Sequence, residues 1–406
     1  MKSQRFLLIV IIFLCGLFLC GQTASIDELK KTVVEIGQLN FIRDVPVRYL
    51  DRAQLKKYIE QLFDSDYPDE LAKKETEFIY LMGFTDKKIV LKPLRKKIIL
   101  ENVGGMYNEK TKELLAVEEF RTLDMFNSPA LVHELRHAIQ DQHFYLGRLL
   151  GAHSDYDDRK LAVLAAIEGD ATLVMIRQLG FDPDLIAEAF SVENVLAFSA
   201  LAGASSLTAA PAIIKYQLLM PYLEGLKFSR EILKKKKWKG LNQVLKQPPQ
   251  SSEQILHPEK YFKLEKPVAV SIGYRPVPGQ LVHSGVIGEY FLNVLLANGA
   301  EIGDAASGWG GDFYAIYRND DSYMLLWEAQ WDTPRDCSRF STVFRNFLEK
   351  NFKLSFVDGQ NKGRPFIAGN SPAGYFFLYQ YNARLFYARS NDRGQINELI
   401  SGGNYD

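Results

Sequence analysis

The sequence predicts an α+β fold, mostly helical, with a small mixed or antiparallel sheet and additional helices. Three observations carry this. Apolar residues recur near a 3.6-residue period over long stretches up to about residue 246. A polar turn separates two apolar runs in 96–119, the mark of a two-strand ribbon. From Trp309 onward, aromatic and β-branched runs replace the helical period.

The elements follow in order. Ile26, Leu29, Val33, Ile36 and Phe41 give a helix over 26–41. Asp51 caps a helix through Leu62, and another runs from Asp69 to Met82 and stops at Gly83. Ile98-Ile99-Leu100 and Leu114-Leu115-Ala116-Val117 flank the turn Tyr107–Lys112 and form the ribbon. Helices follow at 129–146 and 158–179, and 184–246 is helical with breaks at Gly203, Pro211 and Pro221. A helix runs from Ser284 to Leu296, then strands at Phe313–Tyr317 and Tyr323–Trp327, then a helix from Thr333-Pro334 to Leu348. The aromatic tail, 353–388, reads as strand or loop. Lys234–Lys237 is a solvated helix end, and Trp327 and Trp331 are core residues by default. The expected organisation is a leader at 1–24, a mostly helical region at 25–95 and a core at 96–180. A helical and strand region at 181–350 completes the cleft, and a tail spans 351–406.

Composition excludes several functions. The 406 residues carry 49 basic and 49 acidic side chains, which argues against a nucleic-acid groove. Three cysteines cannot build a disulfide scaffold. Residues 1–24 read as a signal peptide, with Lys2 and Arg5 before the apolar run Phe6–Leu19 and cleavage near Ala24. Export is therefore expected. A rival reading is a lipoprotein leader ending at Cys20, which would give the membrane its one link to the chain. Leu19 is bulky where a small residue is needed, which favours the first reading. Cleavage would leave 47 basic against 49 acidic side chains, and Cys337 alone.

With only six histidines in the chain, His133-Glu134-Leu135-Arg136-His137 stands out as an H-E-x-x-H pattern. Ser128 as N-cap and Pro129 in the first turn place it on a helix. Residues at i and i+4 share a face, so two imidazoles there can bind one zinc. Glu134 lies about 100° around the helix, where it flanks the metal as a general base.

A catalytic zinc needs a third protein ligand. His143 has the spacing of H-E-x-x-H-x-x-G-x-x-H, but the glycine position is Gln140. On an unbroken helix His143 points away from His137. Glu168 is the favoured ligand. Leu161, Leu164, Ala165, Ala171, Thr172 and Met175 surround it at helical spacing, and a carboxylate on such a face needs a cation. Gly169 would let a second backbone approach. Asp170 and Asp141 are the candidates to orient a ligand histidine from the second layer. His257 or Tyr261 is the candidate donor to a developing oxyanion. Gly308-Trp309-Gly310-Gly311-Asp312 reads as a structural turn.

These motifs resemble the gluzincin branch of the zincin metallopeptidases, and more closely a group of exported bacterial proteins of that type. The resemblance runs over most of 40–350. It rests on Gly105-Met106-Tyr107-Asn108, on Val132–Phe144 with the H-E-x-x-H pattern, and on Glu168-Gly169-Asp170-Ala171. Gln254-Ile255-Leu256-His257-Pro258-Glu259-Lys260-Tyr261 and Gly308–Asp312 add to it. It implies a zincin-like catalytic core, zinc held by His133, His137 and Glu168, and Leu114–Val117 as the edge strand to which an extended peptide adds. Two positions depart: Thr172 stands where better-known gluzincins often have Asp, and Arg136 where smaller residues are common.

The expected activity is zinc-dependent hydrolysis of a peptide or protein substrate. The other class is an exported binding or surface protein on the same scaffold without turnover.

Overall fold

The computed structural model describes residues 25–124, 127–151, 156–189, 191–201, 205–273, 279–297, 303–361 and 364–402. The expected leader, with Cys15 and Cys20, lies outside them, as does the break expected at Gly203. The fold is α+β. Helix α1 (Ile26–Gly37) starts at Ser25, whose side chain accepts from Glu28 N while Glu28 reaches back to Ser25 N. Strand β1 (Val47–Leu50) precedes α2 (Arg52–Asp66), which Asp51 caps as expected. Helix α3 (Asp69–Met82) ends at Gly83.

The next element corrects the sequence reading. Ile98-Ile99-Leu100 belongs to a helix, α4 (Leu91–Asn102), and not to a ribbon strand. Its buried face is Leu91, Arg95, Ile98 and Ile99. An arginine in the apolar stripe hid the helical period. Arg95 is buried there because Glu75, equally buried, lies 3.5 Å from its guanidinium. The ribbon is β2 (Gly105–Asn108) with β3 (Glu113–Val117). With β1 they form a mixed sheet in the order β1-β3-β2: β1 pairs parallel to β3, and β2 antiparallel.

Helix α5 (Ser128–Phe144) carries the H-E-x-x-H pattern. The N-cap is Asn127, which makes no side-chain cap bond, so Ser128 is the first helical residue and not the cap. A short α6 (Leu146–Leu150) leads to α7 (Asp158–Gln178), then α8 (Pro183–Ala189), α9 (Val192–Leu201) and α10 (Ser205–Ala209). Helix α11 (Ala212–Leu241) runs through Pro221, where a break was expected, and leaves helical geometry only at Lys237. A proline inside a helix costs about 3 kcal/mol. Packing along α7 outweighs it. At that contact a Cβ on Gly169 would lie 2.0 Å from the carbonyl oxygen of Gly225, so only glycine fits.

Two short helices follow, α12 (Ser252–Leu256) and α13 (Pro258–Phe262). The helix expected to start at Ser284 starts instead at Gly288 (α14, Gly288–Ala297), because Gln280–Gly285 is strand β4. A register shift between Leu281 and His283 spoils the two-residue alternation that would have marked it.

The remainder is one antiparallel sheet in the order β4-β5-β6-β10-β9-β8-β7. Strands β5 (Trp309–Asn319) and β6 (Ser322–Trp331) are followed by α15 (Pro334–Phe352). The tail supplies β7 (Phe356–Asn361), β8 (Arg364–Ser371), β9 (Gly374–Tyr381), β10 (Arg384–Ser390) and α16 (Arg393–Gly402). Because β10 pairs with β6, the tail shares a sheet with the region expected to end at 350. Alternate residues serve two cores. Leu325, Trp327, Phe376 and Tyr387 join the main core, where Trp327 and Trp331 pack on Phe340 of α15. Leu326, Phe377, Phe386 and Ala388 join a second core with Ile396 and Leu399 of α16. Among the described residues, no helix is long and apolar enough to cross a membrane.

Candidate metal centre

Helix α5 is buried from Ser128 to Gln142, so its motif is locked between layers. One turn separates His133 and His137, and their rings meet edge to face with centroids 4.6 Å apart. Helix α7 brings Glu168 against both. Its Oε2 lies 3.0 Å from His133 Nε2 and 3.4 Å from His137 Nε2. All three residues are buried, and their ligand atoms are close enough to share one ion. Metal–ligand bonds of 2.0–2.1 Å in a tetrahedron put neighbouring ligand atoms about 3.3 Å apart. The two separations to Glu168 bracket that value, so these residues could hold a metal ion.

The charges interlock. Burial raises the Glu168 carboxyl, but His137 and His133 outweigh it and bring it down to about 2. Burial lowers His137, but Glu168 more than compensates and pushes it up to about 9. At His133 burial wins, and its pKa falls.

Glu134 sits beside this group, fully buried, and its Oε2 accepts from the backbone N–H of Tyr107 at 2.6 Å. That donor is on β2, an edge of the small sheet. Leu114–Val117, expected at the edge, is the central strand β3. Its continuous apolar run reflects burial between two neighbours.

The second layer differs from both expectations. His137 Nδ1 meets Gln140 Oε1 at 2.8 Å, and Asp170 acts at one remove by accepting from Gln140 Nε2 at 2.8 Å. Arg136 holds Asp170 from two nitrogens, at 2.8 and 3.0 Å. Asp141 binds elsewhere, to the Tyr107 hydroxyl at 3.0 Å and Lys112 Nζ at 2.5 Å. His143 turns to the carbonyl of Asn40 at 2.8 Å and takes no part in the cluster. Helix α5 continues past Gln140 without a turn, which keeps His143 off the ligand face.

Neither expected oxyanion donor reaches the cluster. His257 Nε2 lies 2.9 Å from Glu289 Oε1, and both line a separate cavity of about 630 Å³. The Tyr261 hydroxyl donates to the carbonyl of Gln247. The hydroxyl at the centre belongs to Tyr222 of α11, whose ring stands 6.1 Å from that of His133. Burial, then the Glu168 and Glu134 carboxylates, then a hydrogen bond to Glu168 hold it protonated well above the usual tyrosine range. Sequence spacing gave no signal for Tyr222, because only the α7–α11 packing brings it there. Most of Gly308–Asp312, expected as a turn, is the start of strand β5, and its Asp312 accepts from Ile287 N, Gly288 N and Trp309 Nε1, a structural strap.

A domain of unknown function (DUF8575) matches residues 275–396. That span covers the seven-stranded sheet and α14 and α15, and leaves the metal-type cluster outside it. No curated protein and no solved structure matches the chain.

Proposed function

We propose that the chain is an exported zinc-dependent peptidase on a zincin-like core. The observation that carries this reading is the convergence of His133 Nε2 and His137 Nε2 on Glu168 Oε2, at 3.0 and 3.4 Å, with Glu134 beside them. His133, His137 and Glu168 would hold the ion. Zinc bound there lowers the pKa of a water and polarises a carbonyl oxygen. Glu134 takes the proton of the attacking water and delivers it to the leaving amine. Tyr222, kept protonated, donates to the oxygen on which charge develops. Tyr107 N–H holds the Glu134 carboxylate in place and shares it with the incoming proton. Burial of the cluster keeps bulk water from these charges. Export rests on the leader read at 1–24, and the substrate class is peptide or protein.

The test is a Glu134→Gln variant in a peptide-cleavage assay with zinc analysis. Wild type is expected to cleave and to carry one zinc. The variant should keep the zinc and lose about 10²–10⁴-fold in rate. Zinc in both with no cleavage by wild type across a broad peptide library would favour the binding-protein reading instead.

A further inference from the structure

Gln140, at the glycine position of the longer motif, has its orientation fixed by acceptors. Its amide nitrogen lies 2.8 Å from Asp170 Oδ2 and 3.0 Å from the carbonyl oxygen of Ile167. A carbonyl oxygen and a carboxylate held by Arg136 can only accept, so the NH₂ must face them. The amide oxygen then faces His137 Nδ1 at 2.8 Å. An amide oxygen also only accepts, so Nδ1 must carry a proton. In a neutral imidazole that leaves Nε2 with a bare lone pair. This nitrogen has no hydrogen-bond partner among the described residues and stands 3.4 Å from Glu168 Oε2. Two acceptors facing each other repel unless a cation, a proton or a metal ion, lies between them.

The clamp behind Gln140 is extensive. Arg136 Nη2 also donates to Asn242 Oδ1 at 2.5 Å. Asn242 Nδ2 in turn donates to the carbonyls of Gly37 and Gln38 at 2.9 and 3.1 Å. Those carbonyls belong to the C-terminal end of α1, where helical partners run out. Four segments, α1, α5, α7 and the end of α11, are thus tied together behind this amide through Arg136 and Asn242. The bulky Arg136 inside the motif finds its purpose here.

We infer that Gln140 is a positioning residue that locks the Nδ1–H tautomer of His137 and so presents Nε2 as a lone-pair donor to the metal. The inference rests on the zinc reading above. It names a component that neither the motif nor the expected Asp partners supply.

The experiment compares zinc affinity, by chelator competition, in wild type, Gln140→Leu and Gln140→Glu. Gln140→Glu keeps an oxygen to accept from Nδ1–H, and its carboxyl shares one proton with Asp170 across the same contact. Heteronuclear NMR of the zinc-loaded proteins reads the Nδ1 proton of His137. Gln140→Leu should bind zinc about 10–100-fold more weakly and shift that proton signal upfield, because Nδ1–H loses its acceptor. Gln140→Glu should keep the hydrogen-bonded signal and bind within about 3-fold of wild type. If Gln140→Leu does not fold, Gln140→Met, closer in shape, takes its place. Wild-type affinity and an unchanged proton signal in the apolar variant would overturn the inference and leave the zinc reading intact. A wild type that binds no zinc would overturn both.

Discussion

Two groups of three potential ligands stand among the described residues, and they differ in what balances them. Glu253, Glu265 and Asp332 gather around Lys260 Nζ at 2.6, 2.7 and 2.8 Å. An internal ammonium occupies their focus, and two of the three carboxylates are partly exposed. The second group, His133, His137 and Glu168, is wholly buried, and among the described residues no lysine or arginine pairs with Glu168. Its donors are two imidazoles and one carboxylate, a set suited to zinc. Proximity of ligand-type atoms is therefore a weak signal. Whether the chain brings its own cation to the focus separates a structural knot from a metal centre.

That contrast breaks or sharpens under substitution. The largest effect belongs to the buried group. Tyr222→Phe removes its one hydroxyl donor and should lower kcat for peptide cleavage about 100-fold, near 2.7 kcal/mol, with zinc content unchanged. Steady-state kinetics beside metal analysis checks this. A variant that lost zinc instead would make Tyr222 part of the scaffold. The Lys260 group should respond only in stability. Lys260→Met leaves three carboxylates around an apolar end. It should cost about 2–3 kcal/mol in denaturant unfolding, below the full buried-pair value because Glu265 and Asp332 meet water. Zinc bound by the protein should not change. The smallest effect is at His143. Because it binds only the Asn40 carbonyl, His143→Ala should leave zinc affinity within about 2-fold of wild type, well inside the loss a true partner of the ligands would cause.

The cluster of His133, His137 and Glu168 was legible because its signals are local. His133 and His137 are one turn apart, and Glu168 is a carboxylate on an otherwise apolar helical face. The glycine at 169 likewise announced the close backbone it meets in Gly225. What the sequence hid is non-local or disguised. Gln140 looked like a misfit for a glycine, and its partners Ile167 and Asp170 become visible only once α5 and α7 pack. Arg95 disguised the stripe of α4, and a bulge disguised β4. The seven-stranded sheet depends on the pairing of β6 with β10 across α15 and three other strands, and no local period encodes such a register. The reversal of edge and centre in the small sheet has the same origin, since β1 joins β3 from far upstream.

Zinc stoichiometry of the purified chain and its Glu168→Ala variant, measured after dialysis against a weak chelator, addresses the central claim most directly. One zinc per wild-type chain and almost none in Glu168→Ala, with the variant still folded, is the expected result. Equal zinc in both proteins, or none in the wild type after zinc is supplied, would contradict a metal centre built on His133, His137 and Glu168.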